Sequence, residues 1–241
     1  MATSDPQLST VTPWHIGRGW PAADLRAALA ALADRPCSYP VEAVEAVNAV
    51  SDSGWTVERF REHLGQEPPG PPQPDGFYAQ VRAGIEGYRF GHPALTEASF
   101  DPESPLLGRD LLILIRVVFV RLLVGLRIGA VRETTSDSET RFGIRMDTLA
   151  GHILHGSEWV QVIKDHRTGA VMMEIDVRWR PAQLPTWWMA LGFRLFGRTF
   201  QQRWRRLAAR RLQRLGQLGQ AGRMGEPARV TEAQRSANLS A

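Results

Sequence analysis

The sequence of 241 residues predicts an α+β fold, in which an antiparallel β-meander is followed by a long C-terminal helix packed on it. Apolar and polar residues alternate over about residues 111–180, in runs separated by short polar turns. This pattern is typical of antiparallel strands with one exposed face. An apolar stripe at helical spacing follows over about 186–215. The chain is 43% hydrophobic and 22% charged, which excludes a mostly disordered or fibrous protein.

The first part of the chain predicts an N-terminal helical region. Residues 1–13 predict a flexible arm, because they are rich in Ser and Thr and contain no apolar run. Apolar residues at helical spacing predict one helix over 22–34 and a second, short helix over 56–64. We therefore expect an accessory helical region over residues 14–67.

A proline-rich run over residues 68–74 predicts a semi-extended linker to the main domain. That core α+β domain is expected over 75–215, and its first helix begins where Asp75 can act as the N-cap. Residues 216–241, rich in Gly, Gln, Ala and Ser, predict a disordered tail.

Five strands are expected in the core domain, with Gly125 separating the first from the second. Their predicted ranges are 111–122, 126–133, 141–149, 158–164 and 170–180. In the last strand Glu174 and Asp176 lie on the polar face, which we expect to be solvated.

Several motifs resemble those of uncharacterised protein family 0548, a bacterial and plant group built on a domain of unknown function. They are Asp101-Pro102, Thr148-Leu149-Ala150-Gly151-His152 and the run over 191–198 that begins Leu-Gly-Phe-Arg. The resemblance covers roughly residues 14–215 and implies family membership but no particular activity.

The element order also resembles that of helix-grip folds, which are START or Bet v 1-like, although another single-sheet α+β arrangement stays open. A helix laid across a sheet can leave an apolar cavity, so we predict a small apolar or amphipathic ligand there. The candidate ligand-binding residues are Phe142, Ile144, Met146, Met173, Ile175, Trp179 and Trp188. Each of them can equally be core filling.

An enzyme of the cyclase, hydrolase or isomerase kind is the first alternative, and whether the chain is an enzyme stays open. In it His152 acts as acid–base, and Thr148 or Glu158 orients it. The spacing of His152, His155 and Glu158 could hold a divalent ion. The flanking glycines favour a loop over a helical face, and we predict neither a metal nor a cofactor.

The second alternative is an interaction module that uses an arginine-rich helix on an anionic partner. Only Lys164 is a lysine among the 29 basic residues, and eight arginines without an acid lie over residues 194–214. Residues 20–110, in contrast, hold 14 acidic residues against seven arginines. We therefore expect these arginines to be solvated or internally paired. We do not expect nucleic-acid binding, and contact with a membrane surface stays open as a less favoured alternative.

The cysteine content indicates a reducing compartment, because the chain has the single cysteine Cys37 and no disulfide framework. No signal peptide is evident at the N-terminus. Arginines interrupt the most apolar stretch, over 111–131, which argues against a membrane span. We expect a soluble cytoplasmic protein of open oligomeric state.

Overall fold

The computed structural model describes residues 13–17, 19–41, 54–182 and 187–224, with the side chains of all of these except 187–196 and 220–224. The strands are β1 (Trp14–Ile16), β2 (Thr56–Gln66), β3 (Thr96–Ser99), β4 (Asp110–Val117), β5 (Val120–Thr135), β6 (Glu139–Thr148), β7 (Leu154–Asp165) and β8 (Ala170–Pro181). The helices are α1 (Ala22–Ala30), α2 (Phe77–Glu86) and α3 (Trp187–Met224).

Within these ranges, eight strands form one antiparallel sheet in the order β2-β8-β7-β6-β5-β4-β3. The short β1 pairs with β5 at residues 120–122, just before the part of β5 that pairs with β6. The C-terminal helix α3 packs on α2 and on β2. This arrangement confirms the predicted α+β class and is the helix-grip arrangement, because the last helix lies on a sheet whose first long strand adjoins its last.

The main core lies between the sheet and α2 with α3. Every second residue of the long strands points to this inner face, as the period of a strand requires. On β8 the alternating set Val171, Met173 and Ile175 is fully buried, as the sequence predicts. The arginine-rich α3 buries Trp204 and Leu212 against the same core.

The outer face of the sheet is covered in part by α1 and the residues that follow it. Leu32 packs there with Leu123 and Leu149. A Cβ atom on Gly125 would lie 2.6 Å from Leu32 Cδ2, so the glycine allows this close approach. The prediction that Gly125 separates two strands is therefore wrong: it lies within β5, and the turn falls at residues 118–119.

The helix predicted over 56–64 is also wrong, because these residues belong to β2, which pairs with β8 at the edge of the sheet. Phe60 and Leu64 fit a helical spacing, but they also share one face of a strand. Glutamates alternate with them on that face and hide its strand pattern. The helix predicted over 22–34 is confirmed by α1 and the turns after it.

The proline-rich run is held against the core. Lys164 is fully buried and donates to Glu67 Oε2 at 2.6 Å and to the carbonyl oxygen of Pro71 at 2.8 Å. Glu67 Oε1 accepts the backbone N–H of Tyr78 at 2.8 Å, in the first turn of α2. The N-cap of α2 is Gly76 rather than Asp75.

The outer face is less solvated than predicted, because Glu174 is buried between Arg61 and Arg141.

At the C-terminus, α3 continues to residue 224, so the first part of the predicted tail, 216–224, is helical. The rest of the tail and residues 1–12 of the arm lie outside the described residues. The division into domains stays a prediction, although β2 places residues 56–66 in the core sheet.

Candidate functional site

A cavity of about 150 Å³ lies between the inner face of the sheet and α3. Its walls are mainly apolar and come from β4, β5, β6, β7, β8 and α3. Representative wall residues are Ile115, Leu126, Met146, Val177, Phe200 and Trp204. We call this part of the inner face the open end.

The opposite part of the inner face, which we call the filled end, lies between the sheet, α2 and the last turns of α3. There α2 and the last turns of α3 pack closely. A Cβ atom on Gly84 would lie 2.9 Å from Leu215 and 3.0 Å from Leu212. Because a glycine allows the two helices to approach, their side chains pack closely at this end, and the cavity lies beyond the end of α2.

A hydrogen bond helps to fix α3 over the cavity. Trp204 Nε1 donates to Thr96 Oγ1 at 3.1 Å, which joins the helix to β3. The ring of Trp204 also meets Phe90 edge to face, with centroids 6.1 Å apart. The roof of the cavity is thus held by specific contacts as well as by apolar packing.

The most unusual group in the wall is the carboxyl group of Glu158. It lies on the inner face of β7, between the register partners Met146 and Val177. Within the described ranges it has no hydrogen-bond or ion-pair partner. Burial raises its pKa to about 7, and the charge of Arg205 opposes this only in part.

Two further titratable groups belong to the wall of the cavity, Tyr88 and His152. Burial raises the pKa of Tyr88, and the charge of Glu158 raises it further. Burial lowers the pKa of His152 to about 4, so its ring is neutral near pH 7. His152 Nδ1 lies 2.9 Å from the backbone nitrogen of Leu154 and 3.1 Å from its carbonyl oxygen, so the backbone of Leu154 engages this ring nitrogen in either tautomer.

Thr148 is occupied by structural hydrogen bonds. Its Oγ1 accepts the N–H of Gly156 at 2.9 Å and donates to the carbonyl oxygen of Gly156 at 3.0 Å. Ser38 Oγ lies 2.6 Å from the same atom. Among the described residues, neither Thr148 nor Glu158 forms a hydrogen bond with His152.

The structure brings some of the predicted site residues together and separates others. The wall of the cavity includes Thr148, His152, Glu158, Met146 and Trp179. Four predicted ligand contacts lie instead in the packed core, because α2 and the end of α3 cover them: Phe142, Ile144, Met173 and Ile175. The side chain of Trp188 lies outside the described residues.

Several wall residues were not predicted from the sequence. Phe200 and Trp204 belong to the apolar stripe of the C-terminal helix, and this stripe could have indicated them as wall residues. Tyr88 continues the spacing of the buried residues of α2, which indicates only that its side chain points inward. Arg205 and Gln201 had no signal of their own, because one arginine among eight looks like part of a solvated face.

The arginines of α3 are partly paired. Arg205 forms an ion pair with Glu58 at 2.5 Å, and Arg211 Nε donates to the carbonyl oxygen of Arg89 at 2.9 Å. Others are exposed, including Arg203 and Arg206. A polar depression of about 310 Å³ borders the cavity and shares Gln201 and Arg205 with it.

A metal centre is not formed by these residues. In the part of the chain that the structure describes, no group of three or more His, Cys, Asp or Glu side chains could hold an ion. None of the helices in the described ranges combines the length and the apolar character that crossing a membrane requires.

The sheet order and the last helix define a protein of the helix-grip fold, with a half-open and mainly apolar cavity under that helix. The chain belongs to the family of the domain of unknown function DUF1990, whose model matches residues 40–211. This confirms the prediction of an uncharacterised family. None of the curated proteins matches the chain.

Solved structures with a similar fold have very different sequences. One is the major latex-like protein 151 of Panax ginseng, which is 9% identical and has a TM-score of 0.40, over 67% of this chain and 97% of that chain. Another, from Staphylococcus aureus and of unknown function, is 7% identical with a TM-score of 0.39, over 69% and 96%. The protein Ara h 8.0201 is 13% identical with a TM-score of 0.37, over 65% and 98%.

Proposed function

We propose that this protein binds a small, mainly apolar molecule with one hydrogen-bonding group in the cavity under α3. The observation that carries the proposal is an apolar cavity with an unpaired carboxyl group, Glu158, in its wall. A buried polar group without a partner destabilises a fold by about 1–3 kcal/mol or more. Glu158 is half-buried, so a ligand that bonds to it would recover part of that free energy.

The size of the cavity limits the ligand. A cavity of about 150 Å³ accommodates a molecule about as large as benzene. A larger, amphipathic ligand would place its apolar part inside and its polar part in the adjoining depression, beside Arg205 and Gln201. In both cases Met146 and Trp179 supply part of the apolar contact.

The polar group of the ligand is matched to Glu158. With a pKa of about 7, this side chain is present as the neutral acid and as the carboxylate near neutral pH. The acid both donates and accepts a hydrogen bond, whereas the carboxylate only accepts. A hydroxyl group suits both forms, because it can donate to either and accept from the acid.

Acid–base catalysis in the same cavity is a second candidate function. The pKa of about 7 favours it, since a general acid or base works best with a pKa near the working pH. In this reading Glu158 exchanges the proton, because His152 has its Nδ1 engaged and a pKa of about 4. The role predicted for His152, with Thr148 or Glu158 orienting it, stays an untested prediction.

Native mass spectrometry of the protein purified from its own host tests the binding proposal. We expect a small molecule to accompany the wild-type chain. Val177→Phe adds a ring to the wall of the cavity and should abolish the extra mass. Val131→Phe adds the same atoms at an exposed site of β5 and should retain it. The same extra mass on both variants, or none on the wild type, would contradict the proposal.

Two finer assignments extend this proposal. We infer that the family is the one designated uncharacterised protein family 0548, on the motifs around His152 and at residues 191–198. We also infer a cytoplasmic, bacterial protein, which the single cysteine supports. Partial pairing of the α3 arginines supports a structural role for that helix rather than docking on nucleic acid.

A further inference from the structure

We propose that the tip of the β4–β5 hairpin, residues 116–121, docks on an anionic lipid surface by inserting its apolar end. The tip has the sequence Arg-Val-Val-Phe-Val-Arg, with a two-residue turn formed by Val118 and Phe119. This proposal goes beyond ligand binding in the cavity and does not depend on it.

The turn forms an exposed apolar patch with a neighbouring strand. Val118 is 86% exposed, Phe119 is 74% exposed and Ile16 is 62% exposed. The N–H of Gly17 donates to the carbonyl oxygen of Phe119 at 2.9 Å, which holds Ile16 of β1 beside the tip. Half of the large exposed apolar residues in the described ranges are therefore concentrated at one end of the molecule.

The backbone of Val118 gives an independent indication that this apolar side chain is useful. Its φ is 52°, in the left-handed region, where a β-branched residue is a rare outlier. The first position of a two-residue hairpin turn with this backbone favours glycine. The chain instead places there a valine that its own fold leaves exposed, so folding alone does not explain the residue.

Charge on the hairpin matches a lipid surface. Arg116 and Arg121 lie directly opposite each other across β4 and β5, an arrangement that destabilises a sheet. Arg116 pairs with Glu97 at 2.5 Å, and in the described part of the chain no ion pair is formed by Arg121. The two arginines lie about 7 Å behind the turn. Apolar groups enter the boundary between headgroups and acyl chains to about that depth, so the arginines would meet the phosphates.

The shape of the tip favours a lipid over a protein partner. A specific protein interface buries about 800 Å² on each partner. Three side chains on a projecting turn fall well short of that area, whereas a bilayer needs no complementary surface. The tip also adjoins the cavity, because Ile115 and Leu154 line the cavity and pack in the cluster beneath the tip with Leu122.

Co-sedimentation with vesicles tests the proposal. We expect the full-length protein to bind vesicles of equal parts phosphatidylcholine and phosphatidylglycerol more tightly than vesicles of phosphatidylcholine alone. The double variant Val118→Ser with Phe119→Ser should bind at least roughly tenfold more weakly, because it removes most of the apolar area. The double variant Arg116→Gln with Arg121→Gln should bind the anionic vesicles about fivefold or more weakly, and its affinity for vesicles of phosphatidylcholine alone should not change.

A matched control is Leu107→Ser, which removes an apolar side chain that is 60% exposed before β4 begins, at the other end of the strand. It should bind as the wild type does. As a second readout, Phe119→Trp should be quenched by brominated lipid. Absence of vesicle binding by the wild type, equal binding by the serine variant, or a hairpin-dependent dimer in place of vesicle binding would overturn the proposal.

Discussion

One strand, β7, carries two charged side chains on its inner face, and their surroundings are opposite. Lys164, at the filled end, is fully buried, and Glu67 neutralises its charge. Glu158, six residues earlier at the open end, faces the cavity without a partner in the described ranges. At the filled end the inward-facing charge of Lys164 is therefore neutralised by a partner, and the pair helps to hold the fold together. The contrast supports the proposal that the charge at the open end binds a small molecule.

The largest change in stability is expected from breaking the ion pair between Lys164 and Glu67. Lys164→Met leaves Glu67 buried without its cation, which should lower the free energy of unfolding by about 3–5 kcal/mol. Urea unfolding followed by circular dichroism measures it. Arg59→Met, which breaks an exposed ion pair with Asp176, should cost less than about 1 kcal/mol. Equal losses in the two variants would remove the distinction between the ends.

The packing at the two ends can also be compared at two uncharged residues, both of them methionines. Met173 lies in the filled core and Met146 lines the cavity, and both are almost completely buried. Met173→Ala should cost about 2–5 kcal/mol in urea unfolding, because it opens a void in close packing. Met146→Ala should cost about half as much, since part of its surroundings is already empty. A larger loss for Met146→Ala would mean that the cavity is filled in solution.

The unpaired carboxyl group should make stability depend on pH. The pKa of Glu158 rises from 4.5 to about 7 on folding, so between these values the folded protein binds more protons than the unfolded chain. The free energy of unfolding therefore falls as pH rises through this window, by about 2 kcal/mol, because partial exposure reduces the full effect of burial.

Comparison of wild type with Glu158→Gln isolates this effect. His152, whose pKa is lowered to about 4, destabilises the fold as pH falls below 6.5 and is common to both proteins. The difference between the two unfolding curves should grow in favour of the variant from pH 4.5 to 7. Glu62→Gln, at an exposed position of β2, should follow the wild type. A constant difference would show that Glu158 finds a partner in the folded state.

The smallest effect is expected at Thr148. Thr148→Val removes the hydrogen bonds to Gly156 and should cost about 1 kcal/mol by thermal or urea unfolding. Thr134→Val, at an exposed site of β5, should change stability by less than about 0.5 kcal/mol. If Thr148→Val left stability unchanged but abolished ligand binding, the residue would belong to the chemistry of the open end.

The sequence predicted the β-meander and the long helix well, because alternation and helical spacing are properties of a strand or helix by itself. It failed at β2, an edge strand whose inner face carries Glu58 and Glu62 beside Phe60. It also failed at Gly125. Gly125 lies within β5, and its lack of a side chain leaves room for Leu32, which is distant in sequence. From the sequence alone, such a glycine is typical of a break between strands.

The candidate site was predictable only as a face. The inward alternation on β6 and β8 placed Met146, Met173 and Trp179 on the correct side of the sheet. Which end of that face stays open depends on how closely α2 and α3 approach at Gly84. That distance is set by tertiary packing, and no periodic pattern in the sequence predicts it.

The central claim is that the open end, and not the filled end, receives a small molecule. Methyl-carbon NMR of protein labelled at its six methionines, titrated with phenol as a small ring with one hydroxyl group, tests this most directly. The Met146 signal should shift with saturation while the Met173 signal stays in place, and Glu158→Gln should weaken the titration. Movement of both signals together, or of neither, would contradict the claim.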